Sequence, residues 1–170
     1  MVSRWLLIDR IDLLEAGERA RGFKSFPAEE RFFEDHFPGF PVVPGVLLLE
    51  ALAQLAGKLI GYTVRADRGD WPFPILSMMN HVKFRRFVRP GERVQLEAKL
   101  VALRDEMADV RVRAKVGGRV VAQAEQIFVF NAVPLDDPDE VAKLERIEFG
   151  YLRQLWSDCP SHPWMSEDQA

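Results

Sequence analysis

Cysteine is almost absent: Cys159 stands alone among 170 residues. One thiol can neither close a disulfide within the chain nor build a cysteine-cluster metal site, and nothing here signals an oxidising compartment, so a cytoplasmic location is expected. A leader-like start is also lacking. From Met1 to Asp9 one arginine precedes an apolar run too short for a signal peptide or a membrane span. Internal repeats are missing, and the hydrophobic and charged shares, 48% and 29%, exclude a disordered or membrane-embedded chain. No strong charge excess exists either, since the net charge is -3. A net-negative chain argues against nucleic acid as partner. The charge is uneven, however: residues 131–170 hold nine acidic and three basic side chains, whereas residues 1–130 hold 17 and 20. The basic excess peaks at Lys83, Arg85, Arg86, Arg89 and Arg93. Such a cluster either steers an acidic partner or serves as a charged strand edge that discourages aggregation.

What is present is enough for one domain, because a chain of this length buries roughly 70% of its unfolded surface. Trp5 to Leu14 reads as a strand, followed by a turn at Glu15-Ala-Gly17 and a second strand over residues 19–26. A short helical turn is expected at Ala28 to Phe33. Residues 36–45 carry three prolines and two glycines, which forbid regular structure and predict an ordered loop. Val46 to Tyr62 is apolar nearly all round, as in a helix wrapped on most sides. Four strand-like runs supply the wrapping: Phe73 to Phe87, Arg93 to Leu103, Ala108 to Val116 and Arg119 to Phe130, with Gly117-Gly118 as a hairpin turn. The order predicts an α+β fold, a curved antiparallel sheet around one long central helix over residues 1–130. Residues 131–170 read as an extension with a short helix from Glu140 to Glu148 and a polar, acidic end.

Two ionisable residues occupy unusual positions. His36 opens the rigid loop, and Glu50 lies among leucines and alanines near the start of the helix. A carboxyl group in apolar surroundings has its charged form disfavoured and can act as an acid, while an imidazole can accept a proton. The pair therefore forms a candidate acid and base. Gly45 follows Pro44 where the helix begins, and its N–H has no intrahelical acceptor, so it can hold a developing oxyanion. Plainer readings stand beside these. Glu50, Gln54 and Lys58 recur at four-residue steps, as a solvated helix stripe would. His36 can simply bond a loop carbonyl, and Gly45 can simply relieve a turn. Met78 and Met79 lack the histidine or cysteine partners of a metal site and read as core or cavity lining.

The stretch His36-Phe-Pro-Gly-Phe-Pro-Val-Val-Pro-Gly-Val-Leu-Leu-Leu-Glu50-Ala-Leu-Ala-Gln54 resembles the active-site signature of the 3-hydroxyacyl-acyl carrier protein dehydratases of type II fatty acid synthesis. The likeness extends to Leu7-Ile-Asp-Arg10, to Lys83-Phe84 with Arg86 and Pro90-Gly91, and through the closing strands to about Phe130. It implies a hot-dog fold and a homodimer, often assembled as a trimer of dimers into a hexamer, with His36 and Glu50 coming from different subunits. His36 would remove the C2 proton, the Val42 carbonyl would orient its imidazole, and the Gly45 N–H would bind the thioester oxygen. Glu50, oriented by Gln54, would assist departure of the hydroxyl. No metal or organic cofactor is implied. The acyl tunnel is expected along Phe37, Leu76, Met79 and Phe84. Lys83, Arg85, Arg86 and Arg89 form the candidate docking surface for acyl carrier protein bearing its phosphopantetheine-linked chain.

Three segments depart from the family pattern. The helix and His-Arg-x-Pro-Phe segment that open longer relatives have no counterpart before Trp5, which implies a more open entrance. Met78-Met-Asn-His-Val-Lys-Phe84 replaces a Gly-Ile-Asp-x-Ala-Arg-Phe segment beside the tunnel. Residues 131–170 have no counterpart in compact members. Two other functions are compatible with the same fold: an acyl thioesterase, in which water attacks the thioester, and a non-catalytic acyl-binding subunit. The histidine and glutamate fourteen positions apart favour the dehydratase.

Overall fold

Apolar residues at every second position of a strand give it one face that only a shared core can hide. In the computed structural model, which describes residues 5–130, 137–157 and 159, that patterning yields nine elements. They are β1 (Arg10–Glu15), β2 (Arg19–Ser25), α1 (Phe32–Asp35), α2 (Gly45–Arg68), β3 (Ile75–Phe84), β4 (Arg93–Leu103), β5 (Met107–Val116), β6 (Arg119–Val129) and α3 (Pro138–Leu155). The strands form one antiparallel sheet in the order β1-β2-β4-β5-β6-β3, curved around α2 in the hot-dog arrangement expected from the sequence.

The inward faces of β4 and β5, with Val94, Leu96 and Ala98 on one and Val110, Val112 and Ala114 on the other, are buried against α2. On the helix, Leu52, Leu55, Leu59 and Ile60 are wholly inaccessible. Each such side chain contributes about 1.5–3 kcal/mol of burial free energy. By length and composition α2 could cross a membrane, but 67% of its most apolar window is buried inside the protein, as in a core helix.

Several boundaries differ from the sequence expectation. Strand β1 begins at Arg10 rather than Trp5. The chain before it crosses the face of α2, burying Leu7 and Ile8. Helix α2 continues from Tyr62 to Arg68 and stops at Gly69, whose φ of 83° and N–H bond to the Arg65 carbonyl form a left-handed C-cap. The polar end Arg65-Ala-Asp-Arg68 concealed this last stretch from an argument based on apolar periodicity. Helix α3 is also longer than Glu140 to Glu148. Asp137 caps it by accepting the Asp139 N–H at 2.9 Å, Pro138 occupies its first turn, and Leu152, Leu155 and Trp156 anchor its far end in the core. The acidic C-terminal end and His162-Pro163-Trp164 lie outside the described residues.

Candidate active site

The loop ahead of α2 is braced from within. Phe37 and Phe40 exchange backbone bonds at 3.2 and 2.9 Å, the Val42 N–H donates to the His36 carbonyl at 3.0 Å, and the Val43 N–H reaches the Val88 carbonyl at 2.8 Å. These bonds aim the His36 ring back at its own loop, where Nδ1 lies 3.1 Å from the Val42 carbonyl oxygen. A carbonyl only accepts, so Nδ1 carries the hydrogen and Nε2 of the neutral ring keeps its lone pair. The ring stacks on Phe37, with centroids 4.3 Å apart.

Gly45 starts α2 directly after Pro44, and no side chain caps that end. Its N–H finds no acceptor among the described residues, and the helix dipole adds positive potential there. The Phe84 ring lies over it so closely that a Cβ at position 45 would stand 2.5 Å from Cε1. A glycine is therefore what lets strand β3 and the helix start approach each other.

One turn into α2, Glu50 is half-buried and held by a single oxygen. Its Oε1 accepts from Gln54 Nε2 at 3.0 Å and from the Trp5 indole Nε1 at 3.2 Å. Gln54 is fixed in turn, accepting the Leu7 N–H at 2.8 Å and donating to the Trp5 carbonyl at 2.8 Å. Oε2 of Glu50 has no hydrogen-bond partner among the described residues. One residue earlier on the helix, the Leu49 carbonyl accepts from the fully buried Gln126 of β6 at 3.1 Å, which ties the helix to the sheet. The surroundings of Glu50 are thus mixed, polar on the Trp5 side and apolar toward the sheet.

Glu50 opens onto a cavity of about 670 Å³ walled by Ala53, Ile75, Leu76, Trp71 and Phe128. Gln54 and Lys58 line it too, so the stripe at four-residue steps faces this cavity rather than bulk solvent. Lys58 is 7% exposed and paired with Glu148 of α3. His36 is not part of the cavity wall within one chain. Of the four residues expected along the acyl tunnel, Leu76 lines the cavity. Phe84 lines a second hollow of about 620 Å³ together with Arg85, Arg86 and Arg89. Phe37 is exposed on the loop, and Met79 is exposed on β3 with its sulfur 3.8 Å from Gln126 Nε2. Lys83 is exposed near the end of β3. Sequence reasoning did not single out Trp5, Gln126, Glu148 or Tyr151. The one available signal was the Lys58 step in the stripe, since a lysine buried under another element needs an acidic partner.

The family model and the curated relatives agree on one family. Residues 2–125 match the FabA-like domain model. The chain is 41% identical over 126 residues to the 3-hydroxyacyl-acyl-carrier-protein dehydratase FabZ of Syntrophotalea carbinolica, covering 74% of this chain and 84% of that protein. It is 39% identical over 124 residues to the FabZ of Clostridium acetobutylicum, covering 73% and 86%. Among solved structures, the dehydratase heterocomplex ApeI:P from Xenorhabdus doucetiae superposes with a TM-score of 0.62 at 11% identity, covering 85% of this chain and 92% of that one. Zebra fish thioesterase superfamily member 2 superposes with a TM-score of 0.55 at 14% identity, covering 71% and 80%. At those identities the structural likeness speaks to the fold alone.

Proposed function

This chain belongs to the FabA-like family, and from that premise we propose that it removes water from 3-hydroxyacyl thioesters carried on acyl carrier protein. The observation that carries the reading is the way each acid–base side chain is held by one atom and leaves the other available. His36 is held at Nδ1 by the Val42 carbonyl at 3.1 Å, and Glu50 is held at Oε1 by Gln54 at 3.0 Å. His36 Nε2 takes the C2 proton of the substrate. Negative charge moves onto the thioester oxygen, where the Gly45 N–H and the start of α2 stabilise it. The carbonyl then re-forms as the C3 hydroxyl leaves with a proton from Oε2 of Glu50, the products are water and the trans-2-enoyl thioester, and the proton taken up by His36 passes back to the glutamate through water. No step requires a metal or an organic cofactor.

Because His36 lies outside the Glu50 cavity of its own chain, the working site is completed by a second copy. The edge strand β3 supports this pairing: Ile75, Met78, Met79, Val82 and Phe84 are all exposed along it. An edge that apolar invites another strand. The resulting homodimer, which can further assemble as a trimer of dimers, brings His36 of one copy toward Glu50 of the other. The arginines beside Phe84 and Gly45 form the docking surface for acidic carrier protein, and a cytoplasmic location follows from that partner.

The test is direct. Purified protein supplied with a 3-hydroxyacyl-acyl carrier protein is expected to form enoyl product, and with crotonyl thioester to add water. A folded sample inert in both directions sinks the proposal. Release of free thiol without enoyl formation would assign a thioesterase instead.

A further inference from the structure

Helix α3 lies beyond the family-matched residues 2–125, yet it forms one end of the cavity onto which Glu50 opens. Glu50 and Lys58 stand eight residues apart on α2, about 12 Å along the axis. Between them the floor is made of Ala53, Gln54 and Gly57. At Gly57 an added Cβ would rest in ordinary contact with Pro74 Cγ at 3.9 Å, so a small side chain fits there without displacing a neighbour. The walls along this stretch are apolar. At the far end the character changes: Lys58 is ion-paired with Glu148, and its ammonium sits 5.4 Å from the centre of the Tyr151 ring.

That end wall is braced. Glu145 Oε1 accepts the Trp71 N–H at 2.9 Å, the Trp71 and Phe149 rings meet edge-on at 4.8 Å, and Leu152 and Leu155 are buried just beyond. An alkyl chain lying along the groove gains burial for each methylene until it reaches Lys58 and Glu148. The next methylene would meet a paired ammonium and carboxylate beside the Tyr151 ring, which closes the way onward. We propose that Tyr151 and Glu148 of α3, locked by Lys58, terminate the acyl groove and set the longest chain the protein accepts. This inference rests on the dehydratase reading for where the thioester end of the chain sits. It assigns to the C-terminal helix a specificity role independent of the catalytic groups.

The experiment measures calorimetric binding of unreactive saturated acyl-pantetheine thioesters of increasing length, and turnover of the matching 3-hydroxyacyl series, on the full chain. Affinity is expected to rise with length and then to fall about tenfold or more at the first chain that overruns the groove, the size of effect one misplaced methylene has in an apolar pocket. Tyr151→Ala is expected to move that break to longer chains and Tyr151→Trp to shorter ones. Gly57→Leu, which fills the floor, should also shorten it. Thermal unfolding checks that each variant is folded, and Tyr151→Trp serves if Tyr151→Ala is not. A break that stays in place in the folded Tyr151 variants overturns the role of α3, even if Gly57→Leu moves it. A break that shifts in binding while no length is turned over leaves the α3 limit standing and removes the dehydratase reading. Absence of any length dependence overturns the limit.

Discussion

Gln54 reads two chain segments at once: its Nε2 donates to Glu50 Oε1 at 3.0 Å while its own Oε1 accepts the Leu7 N–H at 2.8 Å. The glutamate is thereby tied to the segment ahead of β1 as well as to its own helix. Leaving a buried acceptor without its donor costs about 1–3 kcal/mol. Gln54→Leu is therefore expected to lower kcat by roughly tenfold to a hundredfold, with a smaller change in KM. Steady-state kinetics on a short 3-hydroxyacyl substrate checks this, and an unchanged kcat would remove Gln54 from the positioning role.

Among the described residues the His36 ring makes a single polar contact, to the Val42 carbonyl, and His36 is only half-buried. Its loss should harm catalysis far more than folding. His36→Ala is expected to reduce turnover by about 10²–10⁴-fold, the usual contribution of a general base. Far-ultraviolet circular dichroism is expected to stay the same. Retention of more than a tenth of the activity would assign the base elsewhere.

Gly61 sits beneath the Trp71 indole, where an added Cβ would stand 2.1 Å from Cζ2. Two effects compete in Gly61→Ala. Helix propensity gains about 1 kcal/mol, and overpacking costs about 1–3 kcal/mol. Trp71 is 4% exposed and hemmed in by Phe149 at 4.8 Å, so it cannot swing away. Overpacking is expected to win, giving a net loss of up to about 2 kcal/mol in urea unfolding. A more stable variant would show that the indole has room to move.

Burial holds the Cys159 thiol above its usual pKa, opposed by the Arg153 charge, and burial first and then Cys159 raise Tyr62. Both groups therefore bind protons more tightly folded than unfolded. Their stabilisation is complete below the ordinary cysteine range and is lost as pH rises through the raised values, because the unfolded chain ionises first. Urea midpoints are expected to fall on the alkaline side, and Cys159→Ser, which cannot ionise there, should flatten part of that slope. Identical alkaline slopes in the two proteins would contradict the assignment.

On the proposed pairing through β3, Val82→Asp places a charge on the exposed apolar edge of that strand. It is expected to shift the protein toward monomer in light scattering and, by separating His36 from the partner's glutamate, to abolish turnover together with assembly. A dimer that persists with full activity would place the seam on another surface.

Much of the architecture could be read locally. The bounds of β4 are Arg93–Leu103 in both the alternation pattern and the structure, and β5 and β6 each differ by a single residue at one end. Strand periodicity is a property of neighbours in sequence, and these strands each have one buried face. The first strand starts later than its apolar run suggests because the Trp5–Ile8 stretch is apolar for a different reason: it packs across α2 instead of pairing in the sheet. The ends of α2 and α3 escaped for the opposite reason, since their polar residues are satisfied by caps and ion pairs that periodicity does not register.

The amino-acid order alone determined the loop-and-helix signature from His36 to Gln54, the strand pattern around it, and with them the family. Those features repeat at short range, so they survive in a linear string. Only the tertiary structure decided that Glu50, Gln54 and Lys58 face a cavity rather than solvent, because that depends on Trp5 closing over one end and on α3 closing over the other. Burial of a lysine is settled by whichever distant carboxylate can reach it. Here that is Glu148, ninety residues away, and no spacing rule connects the two.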